Sequence, residues 1–125
     1  MIYGIGTDIV HVKRMRDNIE KYGDKFAQRI LTNAELAEFK NKKNQSSFLA
    51  KRFAAKEATA KAMGTGFSNG LSLHHIGVTH DEAGKPILDF LDVAKKFIQD
   101  KQIIQAHLSL ADEDDYAVAF VTLGM

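Results

Sequence analysis

Two carboxylates in this chain stand where a carboxylate needs a reason. Asp8 ends an apolar run, Ile2 to Val10, and a charge there must be solvated, paired or bound to a cation. Glu57 lies in an alanine-rich stretch, Phe48 to Met63, where Phe53, Glu57 and Lys61 share one helix face at i, i+4 spacing. A Glu57–Lys61 ion pair worth only about 0.2–0.5 kcal/mol accounts for that spacing without any function, and pairing or helix capping does the same for Asp8. Two hard oxygen donors near lysines are also the arrangement that Mg²⁺ and phosphates use together, because Mg²⁺ keeps several waters and takes one or two protein carboxylates. Residue type and spacing leave both readings open.

Other chemistries find less to work with. The segment Gly64 to Gly70 holds three glycines but follows a helix, and no G-x-x-x-x-G-K-[ST] pattern exists, so it is not a P-loop; a helix C-cap accounts for Gly64. No G-x-S-x-G elbow is present, and His107 and Ser109 on one strand face do not make a hydrolase triad. His74, His75 and His80 with Asp81 suggest a transition metal only at the level of residue type, since adjacent strand residues face oppositely. The run Asp112 to Asp115 reads as a solvated turn and lacks EF-hand spacing for calcium. With no cysteine there is no disulfide, thiol nucleophile or cysteine-bound zinc, which favours the cytoplasm.

These residues need elements to hold them. Alternation makes Ile2 to Val10 a strand, with Tyr3, Ile5, Thr7 and Ile9 on one face and Gly4, Gly6, Asp8 and Val10 on the other. The two glycines leave room on their face for a helix or a ligand to approach the backbone. From His11 to Lys40 the pattern is helical and broken at Gly23-Asp24, and Thr32-Asn33-Ala34-Glu35 reads as a capping box opening a further helix. Ser46 or Ser47 is expected to cap the long helix from Phe48 to Met63, which Gly64 stops. A strand is expected over Leu73 to His80, a turn over Asp81 to Pro86, a short strand at Ile87 to Asp89 and an amphipathic helix from Leu91 to Asp100. Ile103 to Ala111 alternates, placing Ile104, Ala106, Leu108 and Leu110 opposite Gln105, His107 and Ser109. Tyr116 to Leu123 is apolar on both faces and is expected to be covered on both, by the fold or by a neighbouring subunit. The fold class is therefore α+β, an antiparallel or mixed sheet packed on a long alanine-rich helix and several shorter helices, and 125 residues make one domain, 1–125.

Charge is unevenly placed. Between Val10 and Lys61 there are 13 lysines and arginines against 6 carboxylates, whereas Ala62 to Met125 carries 4 against 9. A segment of +7 suits an anionic partner: nucleic acid, an acidic protein or a phosphorylated small molecule. Solvated helix faces explain scattered lysines equally well. A nucleic-acid module would need aromatic platforms among the lysines and would have no use for Asp8 or Glu57. No apolar run approaches the roughly 20 residues that cross a bilayer.

Two segments carry a resemblance: Gly4-Ile-Gly-Thr-Asp-Ile-Val10, and Phe48-Leu-Ala-Lys-Arg-Phe-Ala-Ala-Lys-Glu-Ala-Thr-Ala-Lys-Ala-Met-Gly-Thr-Gly66. With Asn69-Gly-Leu71, Gly84-Lys-Pro86 and His107-Leu-Ser-Leu-Ala-Asp-Glu113, in this order, they resemble the holo-[acyl-carrier-protein] synthases, the small trimeric bacterial type of 4′-phosphopantetheinyl transferase. The resemblance implies Mg²⁺-dependent transfer of 4′-phosphopantetheine from coenzyme A to a serine of apo-acyl carrier protein, for fatty acid biosynthesis, with polyketide or peptide synthetase carriers as the other partners to consider. It implies a metal pair at Asp8 and Glu57, with Lys61 assisting catalysis. Arg52, Lys61, Gly64, Thr65, Gly66, Pro86, His107 and Ser109 would line a coenzyme A cleft between subunits of a homotrimer. Arg14, Lys21, Lys25 and Arg29 would dock the acidic carrier. For the general base the candidates are Glu57, a water on the metal and Glu35.

Overall fold

A computed structural model describes residues 1–125. Strand β1 (Ile2–His11) leads through helices α1 (Val12–Tyr22), α2 (Asp24–Ile30) and α3 (Asn33–Phe39) to the long α4 (Gln45–Met63). The hairpin β2 (Ile76–His80) and β3 (Pro86–Phe90), helix α5 (Asp92–Asp100) and strands β4 (Gln105–Asp112) and β5 (Tyr116–Gly124) follow. The first sheet is antiparallel in the order β1-β5-β4, and β2-β3 is a separate antiparallel pair. No helix is long and apolar enough to cross a membrane.

The α+β expectation holds, and its first half resolves into three short helices as the breakers require. Gly23 sits at φ +63°, a conformation that L side chains rarely adopt, and separates α1 from α2. The Thr32 hydroxyl accepts from the Glu35 N–H at 3.2 Å while the Glu35 carboxylate accepts from the Thr32 N–H at 2.9 Å, the reciprocal pair of a capping box. Two local expectations fail. The cap of α4 is Asn44, whose Oδ1 accepts from the Ser47 N–H, because the helix begins three residues earlier than its apolar run. Leu73–His75 is a 3-10 turn and not strand, since the Ser72 hydroxyl caps it by accepting from the His74 N–H while the His75 ring accepts from the Ser72 N–H.

The glycine face of β1 meets α4. A Cβ at Gly4 would sit 1.9 Å from the Ala62 carbonyl oxygen, and one at Gly6 1.9 Å from that of Ala58, so only glycine admits this contact. The small side chains of Ala54, Ala55, Ala58 and Ala62 let the helix bury itself against Val10, Leu108, Ala117, Ala119, Val121 and Leu123 of the sheet. The opposite face of the sheet has no cover from this chain. Ile5, Ile9 and Phe120 are 59%, 62% and 45% exposed there, so β5 is buried on one face only within the chain.

Candidate active site

The close passage of β1 over α4 brings Asp8 to the helix beside Glu57 and Lys61. Lys61 Nζ donates to the Asp8 carboxylate at 3.1 Å and to the Thr7 carbonyl at 2.9 Å. Local spacing favours a Glu57–Lys61 pair; the helix instead sends its lysine across to the strand, and Glu57 makes no ion pair. Partial burial first, and the Asp8 charge second, push the Glu57 carboxyl above its ordinary range, against the opposing pull of Lys61 and Arg14. Two facing carboxylates of which one resists ionisation are short of positive charge. This donor set suits Mg²⁺, which takes one or two carboxylates and fills its remaining positions with water and phosphate oxygens.

Gly64 ends α4 in the left-handed conformation, φ +81°. The N–H groups of Gly64, Thr65 and Gly66 all converge on the Ala60 carbonyl, at 3.1, 3.3 and 3.3 Å. They are therefore committed to the helix end and cannot cradle a phosphate as a P-loop does. What the segment offers a ligand is an open approach, since nothing lies within 4 Å of a Cβ at Gly64 or Gly66.

Arg52, Pro86 and Ser109 gather elsewhere, in a cleft of about 530 Å³ that they line with Glu38, Lys42, Lys51 and His80. Burial first, and Arg52 second, draw the His80 imidazole below its usual range. His107 lies outside this cleft on the open sheet face, opposite Thr122 of β5. Arg52 and Lys61 are nine residues apart on α4, which at 100° per residue places them on opposite sides of the helix and about 13 Å apart along it. The residues attributed to one ligand thus fall into two groups that do not meet within the chain, with His107 apart from both.

Sequence reasoning missed the anchor of this region. Lys56 is 0% exposed, and its ammonium donates to Glu35 at 2.6 Å, to the Leu73 carbonyl at 3.1 Å and to the Ile76 carbonyl. The Glu35 carboxylate also accepts from the Val78 N–H at 2.9 Å. Burial draws the Lys56 ammonium down from its ordinary range, against the raising effect of Glu35. Glu35, buried and saturated with donors, is consequently unavailable as a general base. The one available signal was Lys56 standing one turn after Arg52 among alanines. His74 bonds the Gln28 carbonyl and His75 caps its turn, and no three histidine, aspartate or glutamate side chains gather for a metal, at Asp112 to Asp115 or elsewhere. Arg14, Lys21, Lys25 and Arg29 are all exposed on α1 and α2.

A model of the 4′-phosphopantetheinyl transferase superfamily matches residues 4–121. The chain is 51% identical over 123 residues to the holo-[acyl-carrier-protein] synthase of Nitrosospira multiformis, covering 98% of each. The crystal structure of the holo-[acyl-carrier-protein] synthase from Neisseria meningitidis matches it with a TM-score of 0.94 at 46% identity, covering 100% of both chains. That of Bacillus anthracis, solved in complex with CoA (3′,5′-ADP), matches with a TM-score of 0.81 at 42% identity over 98% of this chain and 96% of the other. With the fold shared from end to end at such identities, the chain belongs to the holo-[acyl-carrier-protein] synthase family of 4′-phosphopantetheinyl transferases.

Proposed function

We propose that the chain, as one transferase domain spanning 1–125, moves 4′-phosphopantetheine from coenzyme A to a serine of apo-acyl carrier protein, in the cytoplasm and for fatty acid biosynthesis. The observation that carries this reading is the Asp8–Glu57–Lys61 cluster, assembled by two glycines that let β1 and α4 touch. Asp8 and Glu57 would hold Mg²⁺, which when bound supplies charge neutralisation to the pyrophosphate. The chain's own work is positioning and electrostatics, as in phosphoryl transfer generally. Lys61, fixed by Asp8 and the Thr7 carbonyl, presents its remaining donor to a phosphate oxygen. The serine Oγ forms a bond to the phosphorus that carries pantetheine as the pyrophosphate P–O bond breaks, and adenosine 3′,5′-bisphosphate leaves. The serine proton passes to Glu57 through water, since a carboxylate that also holds the metal accepts it poorly in direct contact.

The two separated groups of ligand residues and the uncovered apolar sheet face favour a homotrimer in which each coenzyme A lies between copies. Asp8, Glu57, Lys61 and the Gly64–Thr65–Gly66 segment of one copy would face Arg52, Pro86, His107 and Ser109 of the next. Arg14, Lys21, Lys25 and Arg29 would dock the carrier, and Arg14 lies over the ring of Phe53, one turn before Glu57 on α4, so docking there would bring the serine toward the metal pair. Mass spectrometry of apo-acyl carrier protein incubated with the protein, coenzyme A and Mg²⁺ tests the reading. The carrier should gain about 340 Da, the mass of the transferred group, and the gain should vanish with EDTA; no gain on any carrier sinks it.

A further inference from the structure

Arg52 is the one charged side chain of the cleft that is fully buried, and its surroundings are unusual for a guanidinium. It lies over the Phe48 ring, Cζ 4.5 Å from the centroid. Glu35 Oε2 stands 3.8 Å from its Nε and Glu38 Oε2 stands 3.7 Å from its Nη2. Both are ion-pair distances beyond good hydrogen bonds, and the buried Nε has no hydrogen-bond partner. The two glutamates are three residues apart on α3 and so share a face, one deep and one at the rim. Glu35 cannot shift, because Thr32, Lys56 and Val78 all donate to it.

We infer that Glu35 and Glu38 are positioning residues for coenzyme A, holding Arg52 against Phe48 with its hydrogen-bond donors uncommitted. An arginine loses much rotamer freedom when a ligand immobilises it, and a side chain already ordered spares the ligand that cost. The buried Glu35 charge is thereby explained by more than capping. The inference rests on the reading of this cleft as part of the coenzyme A site.

The test is isothermal titration of coenzyme A into the intact protein, with steady-state kinetics, for wild type, Glu38→Gln and the double variant Glu35→Gln/Lys56→Met. Glu38 is 40% exposed, so its replacement leaves the core alone, and the double variant strands neither member of the buried pair. Positioning requires the Kd and KM for coenzyme A to rise about 3- to 10-fold in both variants, with kcat and the carrier KM held. A glutamate that contributed only its charge gives the opposite sign, because removing an anion from the mouth of an anion-binding cleft tightens binding. Tighter or unchanged binding overturns the inference, and should the double variant not fold, the sign in Glu38→Gln decides alone. Wild type that transfers phosphopantetheine but is indifferent to Arg52→Met refutes the cleft reading, and the inference with it; a wild type that transfers nothing refutes the function itself.

Discussion

Lys61 spans from α4 to β1, 3.1 Å from the Asp8 carboxylate, and thereby leaves Glu57, one turn earlier on its own helix, without an ion pair. The lysine is 54% exposed, so its contribution to folding is that of a surface pair, about 0–1 kcal/mol. Under the proposed function its contribution to transfer is electrostatic and made where charge develops. Lys61→Ala should lower kcat by about 100-fold or more, with the far-ultraviolet spectrum and Tm nearly unchanged. A loss of Tm in proportion to the loss of rate would make the lysine a structural strut.

Glu57 should cost the metal-free protein stability at neutral pH. Its folded-state pKa is raised, by burial first and Asp8 second, so the stability it contributes is full below the ordinary carboxylate range and is lost as pH rises through the raised value. In EDTA, Glu57→Gln should therefore melt higher than wild type at pH 7, with the gap closing toward pH 4, and it should be inactive. Adding Mg²⁺ should raise the Tm of wild type and not of the variant. Thermal melts across pH, with and without metal, check all three outcomes.

Gly6 is the position on which the cluster depends geometrically. A Cβ there would lie 1.9 Å from the Ala58 carbonyl oxygen, so Gly6→Ala must push β1 off α4 and part Asp8 from Glu57. The destabilisation should exceed the about 1–3 kcal/mol typical of overpacking, because the obstacle is backbone that cannot choose another rotamer. For the same reason Ala58→Gly should not rescue it. Urea unfolding of the three variants measures this, and rescue by Ala58→Gly would mean that the helix slides freely.

The two carboxylates were legible in the sequence because each sits in an apolar or alanine-rich context that makes a charge conspicuous. Their partner was not. Helix spacing assigns Lys61 to Glu57, and only the depth to which Gly4 and Gly6 admit α4 gives it to Asp8. The capping box at Thr32 and Glu35 was legible because both its bonds are local, but the same Glu35 as the counter-ion of Lys56 was not, since that pair joins residues 21 apart in sequence. The 3-10 turn at Leu73–His75 escaped for a related reason: periodicity reports which side chains are apolar, and the turn is made by a serine hydroxyl and a histidine ring.

Arg14 should matter for one substrate only. It is exposed on α1, its guanidinium 5.4 Å from the Phe53 ring, and it acts on Glu57 by charge alone. Arg14→Glu should raise the KM for the carrier far more than that for coenzyme A, and the difference should shrink as salt rises from low ionic strength toward about 0.5 M, where exposed charges more than a few ångströms apart are screened. Equal effects on both substrates would remove α1 from the docking surface.

The placement of Arg52 and Lys61 on opposite sides of α4 leads to a test that depends on the proposed assembly. If each coenzyme A is held by Lys61 of one copy and Arg52 of the next, Lys61→Ala and Arg52→Met are each inactive alone but complement one another when unfolded and refolded together. Random mixing in equal amounts places the intact Lys61 and the intact Arg52 at about one interface in four of a cyclic trimer, and so should return about a quarter of wild-type activity. Phe120→Glu, which charges the open sheet face, should abolish both assembly and this recovery while leaving the α4 side of the sheet packed. Sedimentation of the mixture beside its activity makes the two readouts independent. Recovery without a trimer, or a trimer without recovery, would separate the assembly from the site.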